Sequence, residues 1–150
     1  MLDRFMNWVK ETSNSLSSEV KKFKSKAFLE AAVAGCAIVA ASDGVISPEE
    51  KRKMIGFISQ NDALRVFDSS EAVKLFQKYA DAYDFDAEVG KAQALKAVAQ
   101  MKKKSDEARL LVRVCCAIGA ADGNFDAKEK EAVRDICREL GQNPADFNLE

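Results

Sequence analysis

Ala41-Ser42-Asp43-Gly44-Val45-Ile46-Ser47-Pro48-Glu49-Glu50-Lys51 returns later in the chain as Ala120-Ala121-Asp122-Gly123-Asn124-Phe125-Asp126-Ala127-Lys128-Glu129-Lys130. The offset of 79 residues also aligns Cys36 with Cys115 and Met54 with Val133. Residues 32–58 and 111–137 therefore read as two copies of one helix-turn-helix unit. In each copy an apolar, Ala-rich helix runs into Asp-Gly, an apolar residue stands two positions after the Gly, and Ser or Asp precedes Glu by three. Gly44 and Gly123 suit the left-handed conformation that ends a helix, where a β-carbon is costly. Ser47 then reads as an N-cap, with Pro48 at the first helical position, where a missing N–H is harmless, and Glu50 closing a capping box. Asp126 and Glu129 repeat the box. Capping accounts for these four side chains and leaves Asp43 and Asp122 without a role.

The same residues have the form of the second half of an EF-hand loop: Asp at position 5, Gly at 6, an apolar residue at 8, a side-chain oxygen at 9 and Glu at 12. The first half is absent, because positions 1 and 3 fall on Val39 and Ala41 in one copy and on Ile118 and Ala120 in the other. One copy offers about three side-chain ligands, whereas Ca²⁺ takes six to eight oxygens. Two copies related by a pseudo-twofold axis could pool Asp43, Glu50, Asp122, Asp126 and Glu129, with water and carbonyls completing the shell. Two readings therefore stand, caps alone or caps that also hold a cation.

Outward from the two turns, apolar periodicity and caps predict helices over 26–42, 48–60, 69–82, 87–103, 106–121 and 127–140. Asp68-Ser-Ser-Glu71 supplies caps for the third, Ser105 for the fifth, and Gly141 ends the last. Pro144 to Phe147 reads as one further turn with Phe147 folded onto the core. Strands are not expected, since no period-2 runs occur and β-branched residues are sparse. Residues 1–25 read as an amphipathic helix carrying Leu2, Phe5, Met6, Trp8 and Val9, followed by a polar stretch over 12–18 and a basic linker. The expected fold is an all-α, single-domain bundle of about seven helices, with 26–150 as its body. The Ala-rich helix at 26–42 should be central, packed near its repeat partner at 106–121.

Composition narrows the chemistry. The chain has 150 residues, 47% hydrophobic and 31% charged, which suits one domain with one core. The absence of histidine removes His-based triads and His metal sites, so a metal must be held by oxygen or thiolate. Carboxylates at repeated turns favour the hard ions Ca²⁺, Mg²⁺ and Mn²⁺. Cys36, Cys115, Cys116 and Cys137 lack Cys-x-x-Cys spacing and lie in apolar helical runs, as buried reduced thiols do. A net charge of −1 argues against nucleic acid as partner. The longest apolar stretch, Ala31 to Ala41, falls short of the roughly 20 residues that cross a bilayer. With no signal-like apolar segment at the N-terminus, a cytoplasmic location is expected.

At the two Asp-Gly units, and also at Lys53-Met54-Ile55-Gly56-Phe57, Val66-Phe67-Asp68, Asp84-Phe85-Asp86 with Glu88, Gly90 and Lys91, and Ala132-Val133-Arg134-Asp135-Ile136, the chain resembles the TerB family of tellurite-resistance proteins. The resemblance spans nearly the whole chain. It implies an internally duplicated all-helical domain, a divalent metal held by acidic residues of both repeats, and a role in bacterial tellurite and stress resistance. It further implies association with other Ter proteins at the inner membrane. Carried over residue by residue, the acidic set is Asp43, Glu50, Asp122, Asp126 and Glu129.

Lys21, Lys22, Lys24 and Lys26 form a local basic cluster with three readings. They are a solvated helix start, a patch on anionic lipid beside inserted apolar residues of the first helix, or a dock for an acidic partner. The leading functional expectation is a non-enzymatic, divalent-ion-binding interaction module. The alternatives are cysteine-dependent reduction or sequestration of tellurite, with Arg113 as the one suggestive cation near a thiol, and a structural adaptor that binds no metal.

Overall fold

The computed structural model describes residues 4–13, 15–61, 64–121, 123 and 125–149. Their regular structure is helical throughout: α1 (Arg4–Ser13), α2 (Leu16–Lys22), α3 (Lys26–Ala40), α4 (Pro48–Gln60), α5 (Ser69–Phe85), α6 (Ala87–Ala99), α7 (Ser105–Gly119), α8 (Ala127–Leu140) and a final 3₁₀ turn (Pro144–Phe147). The all-α expectation holds. So does the final turn, whose Phe147 is buried.

Helix α3 is the axis of the bundle. Ser25 caps it by accepting a hydrogen bond from the Phe28 N–H at 3.1 Å. From Phe28 to Ala40 every residue except Glu30 is buried, with α4, α5, α6, α7 and α8 packed around the helix. Its small side chains explain this, since a thin helix lets neighbouring backbones approach on every side. The closest approach is at Gly35, where a β-carbon would run into Sγ of Cys115 on α7. Glu30 turns outward and accepts from the Tyr79 hydroxyl at 2.6 Å and from Lys78 Nζ at 3.1 Å.

Helix boundaries at α3, α5, α6 and α7 differ from the sequence reading by one to four residues. Helix α5 continues to Phe85 because Asp86 alone makes the corner, ending α5 and capping α6 through hydrogen bonds from the Glu88 and Val89 N–H groups at 2.9 and 3.1 Å. Helix α6 stops at Ala99, and a short turn precedes α7. Lys104, not Ser105, occupies the N-cap position of α7, and no side chain caps it.

Of the polar stretch 12–18 read as a linker, Thr12 and Ser13 still belong to α1 and residues 16–18 already open α2, and α1 with α2 packs on α7. Phe5, Val9, Leu16 and Val20 are buried. The Phe5 ring lies 4.8 Å from that of Phe125, and Trp8 meets Phe147 edge-on at 5.8 Å. Phe5 and Val9 thus complete the protein's own core and are not displayed for insertion into lipid. Leu2 lies outside the described residues. Arg113 fastens this arm by donating to both carboxylate oxygens of Glu19 at 2.9 Å, to the Thr12 carbonyl and to the Ser15 hydroxyl.

Candidate functional site: the acidic cleft between the two turns

The two Asp-Gly turns match bond for bond at their helix ends. Gly44 N–H donates to the Ala41 carbonyl at 2.8 Å, and Gly123 N–H to the Ala120 carbonyl at 2.9 Å. Both glycines have positive φ, 99° and 81°, where a side chain would be strained. The apolar residue that follows, Ile46 or Phe125, is buried and pins its turn to the core. Gly119 makes room for this in the second turn, because a β-carbon there would lie 2.8 Å from the Phe125 ring. The match is local, covering the helix ends, the two glycines and the N-caps that follow.

The caps form as the sequence indicates. Ser47 Oγ accepts from the Glu50 N–H at 3.1 Å. Asp126 Oδ1 accepts from the Glu129 N–H at 2.8 Å, while Glu129 Oε1 accepts from the Asp126 N–H at 2.9 Å, a complete reciprocal box. Asp43, which capping left unexplained, accepts from the Val45 N–H at 3.3 Å and so stiffens its own turn.

Between the turns lies a cleft of about 220 Å³ lined by Asp43, Glu50, Asp126 and Glu129. Residues more than 70 positions apart in sequence thus share one concavity, set against Val39, Met54 and Phe57. Asp122, the fifth expected ligand, lies outside the described residues. Two basic residues missed by the sequence reading, Lys53 and Lys128, line the same cleft. Their spacing was a usable signal, since Lys53 stands three residues after Glu50 and Lys128 one before Glu129. Among the described residues no three carboxylates or thiols converge into a metal-binding group.

The thiols lie elsewhere, in the core. All four cysteines are free and buried. The hydrogen bond with Cys36, with burial added, holds the Cys115 thiol well above the usual range; burial does the same for Cys116 and pushes Cys137 up to about 12. Arg113 activates none of them, being committed to Glu19, Thr12 and Ser15. Lys21, Lys22, Lys24 and Lys26 are all exposed and do not line the acidic cleft; Lys26 lies 3.9 Å from Glu71. No helix among the described residues is long and apolar enough to cross a membrane.

The family model described as tellurite resistance protein TerB matches residues 29–149, a span that takes in both acidic turns and leaves α1 and α2 outside. A relative from Alcaligenes sp, named tellurium resistance protein TerB, is 43% identical over 100 residues, covering 66% of this chain and 81% of the relative. No solved structure matches the chain. With a helical body, two acidic turns and a family match running from Leu29 to Leu149, the chain belongs to the TerB family of tellurite resistance proteins.

Proposed function

We propose that this protein acts in tellurite and stress resistance as a non-enzymatic interaction module whose acidic cleft binds a divalent cation, Ca²⁺ ahead of Mg²⁺ or Mn²⁺. The observation that supports the reading is the shared cleft: Asp43 and Glu50 from the first turn face the same concavity as Asp126 and Glu129 from the second. Four carboxylates in one cleft repel each other, and Lys53 and Lys128 offset only part of that charge. A hard cation would offset the rest and tie the α3–α4 turn to the α7–α8 turn. In the cell the module would be cytoplasmic and would join other Ter proteins at the inner membrane, with Lys21, Lys22, Lys24 and Lys26 as a peripheral docking surface. Reduction of tellurite by cysteine draws no support from four thiols that are all buried.

The test separates capping from cation binding on one side chain. Gln at the third helical position supports a capping box as Glu does, but carries no charge. Glu50→Gln and Glu129→Gln should keep the melting temperature while lowering Ca²⁺ affinity in calorimetry about tenfold, equivalent to about 1.4 kcal/mol. Asp43→Asn should lower it likewise. Unchanged affinity in all three variants, or no heat with the wild type, would leave the acidic residues as caps only.

A further inference from the structure

We propose that α1 is a strap that holds the second acidic turn in place, so that docking of α1 and occupancy of the cleft by a cation are linked; the linkage rests on the cation-binding reading of that cleft. The hub is Phe5, which is buried. Its ring lies 4.8 Å from that of Phe125, and the Lys130 ammonium stands over it at 5.5 Å. Phe125 immediately precedes Asp126, and Lys130 immediately follows Glu129. One side chain of α1 therefore touches the chain on both sides of the reciprocal capping box, whose two carboxylates line the cleft.

The contact reaches the cleft wall as well. Gly119 lines the cleft, and the Phe125 ring lies so close to it that a β-carbon would meet the ring at 2.8 Å. Phe125 is thus held between Phe5 of the arm and a residue of the cleft itself. Interiors packed this closely transmit displacement, because moving one ring opens a void or forces an overlap. The first turn is built differently: Lys51, which the 79-residue offset aligns with Lys130, is paired with Asp84 on α5. The first turn is therefore an internal control for the second.

The arm has two anchors. At its far end Arg113 donates to Glu19, Ser15 and the Thr12 carbonyl, and at its near end Phe5 and Trp8 meet Phe125 and Phe147. With α1 docked, Asp126 and Glu129 are ordered before a cation arrives, and binding costs less conformational freedom. With α1 released, the turn loses the Phe5 contact, and apparent affinity falls with the fraction of molecules held in the binding-competent form. By reciprocity, a cation that prefers the held turn favours the docked arm.

The test compares the wild-type chain with Phe5→Ala, which removes the ring, with Phe5→Leu, which restores apolar volume, and with Glu19→Gln, which weakens the far anchor without touching the turn. Circular dichroism confirms that each is folded. In EDTA the Glu129 and Lys130 amides, both hydrogen-bonded to Asp126, should exchange with deuterium about fivefold faster or more in Phe5→Ala and Glu19→Gln. The Glu50 and Lys51 amides of the first turn should not change, and Phe5→Leu should recover most of the protection. Ca²⁺ affinity in calorimetry should fall about fivefold in the same two variants, and saturating Ca²⁺ should reduce acrylamide quenching of Trp8 in the wild type. Unchanged exchange at Glu129 and Lys130, or an equal rise at Glu50 and Lys51, would overturn the strap whatever the cation does. Faster exchange with equal Ca²⁺ affinity in all four proteins would overturn the linkage and leave the cation reading standing. No calcium heat from the wild type would end the cation reading and the linkage with it, while the exchange rates still decide the strap.

Discussion

At the scale of single residues, the tightest constraint sits where α3 crosses α7. Gly35 has no side chain because the space beside it holds the Cys115 thiol, itself 3.8 Å from the Ala32 carbonyl. Gly35→Ala should therefore cost roughly 1–3 kcal/mol by overpacking, despite the better helix propensity of Ala. The cause is testable by a double-mutant cycle in urea. Cys115→Ala removes the sulfur that obstructs the new methyl, so the double variant should be clearly less destabilised than the sum of the two singles. Strict additivity would mean that the obstruction lies elsewhere. At the same site Cys36 and Cys115, aligned by the 79-residue offset, are both buried.

At the scale of elements, the α1–α2 arm is held by one concentrated polar contact and a small aromatic cluster. The bonds from Arg113 lower the Glu19 pKa from its ordinary 4.5. A carboxylate with a lowered folded-state pKa contributes its stabilisation fully above the unfolded value and loses it as pH falls through the folded one. The arm should therefore loosen only below about pH 4.5. Trp8, the one tryptophan of the chain, lies in α1 against Phe147 and reports this directly. Its emission should shift to the red on acidification of the wild type, whereas Glu19→Gln should show the shifted emission already at neutral pH. A common acid midpoint for both proteins would assign the transition to another carboxylate. Removing residues 1–10 would also uncover Phe125, the buried residue that pins the second acidic turn, so arm and cleft are mechanically linked.

At the scale of the whole molecule, one core engages every helix, and its density sets what the chain can do chemically. The four thiols belong to that core. An aromatic disulfide reagent at neutral pH should find essentially no reactive thiol in the native protein and all four after denaturation in guanidinium. A rapidly reacting native thiol would reopen the cysteine-dependent reading. The acidic cleft lies at the surface of that core, with Val39, Met54 and Phe57 behind it.

Sequence alone was enough for α1, for α3 to α8 within a few residues, and for the caps at Ser47, Asp68 and Asp126, because each depends on residues within about four positions of one another. The Ser47 cap, the Asp126–Glu129 box and the positive φ of Gly44 and Gly123 all stand where local chemistry puts them. The pattern of small residues also made α3 legible as the central helix. Local signals failed where two elements meet. Polar composition at 12–18 suggested a linker, yet burial of Leu16 and Val20 against α7 stabilises a helix there. Arg113 read as a possible thiol activator until the fold brought Glu19, 94 residues away in sequence, to its guanidinium. Only tertiary packing placed Lys53 and Lys128 among the carboxylates of one cleft. Which distant side chains share a concavity depends on how helices cross, and crossing is decided by the volumes of buried residues such as Gly35 and Gly90 rather than by any local motif.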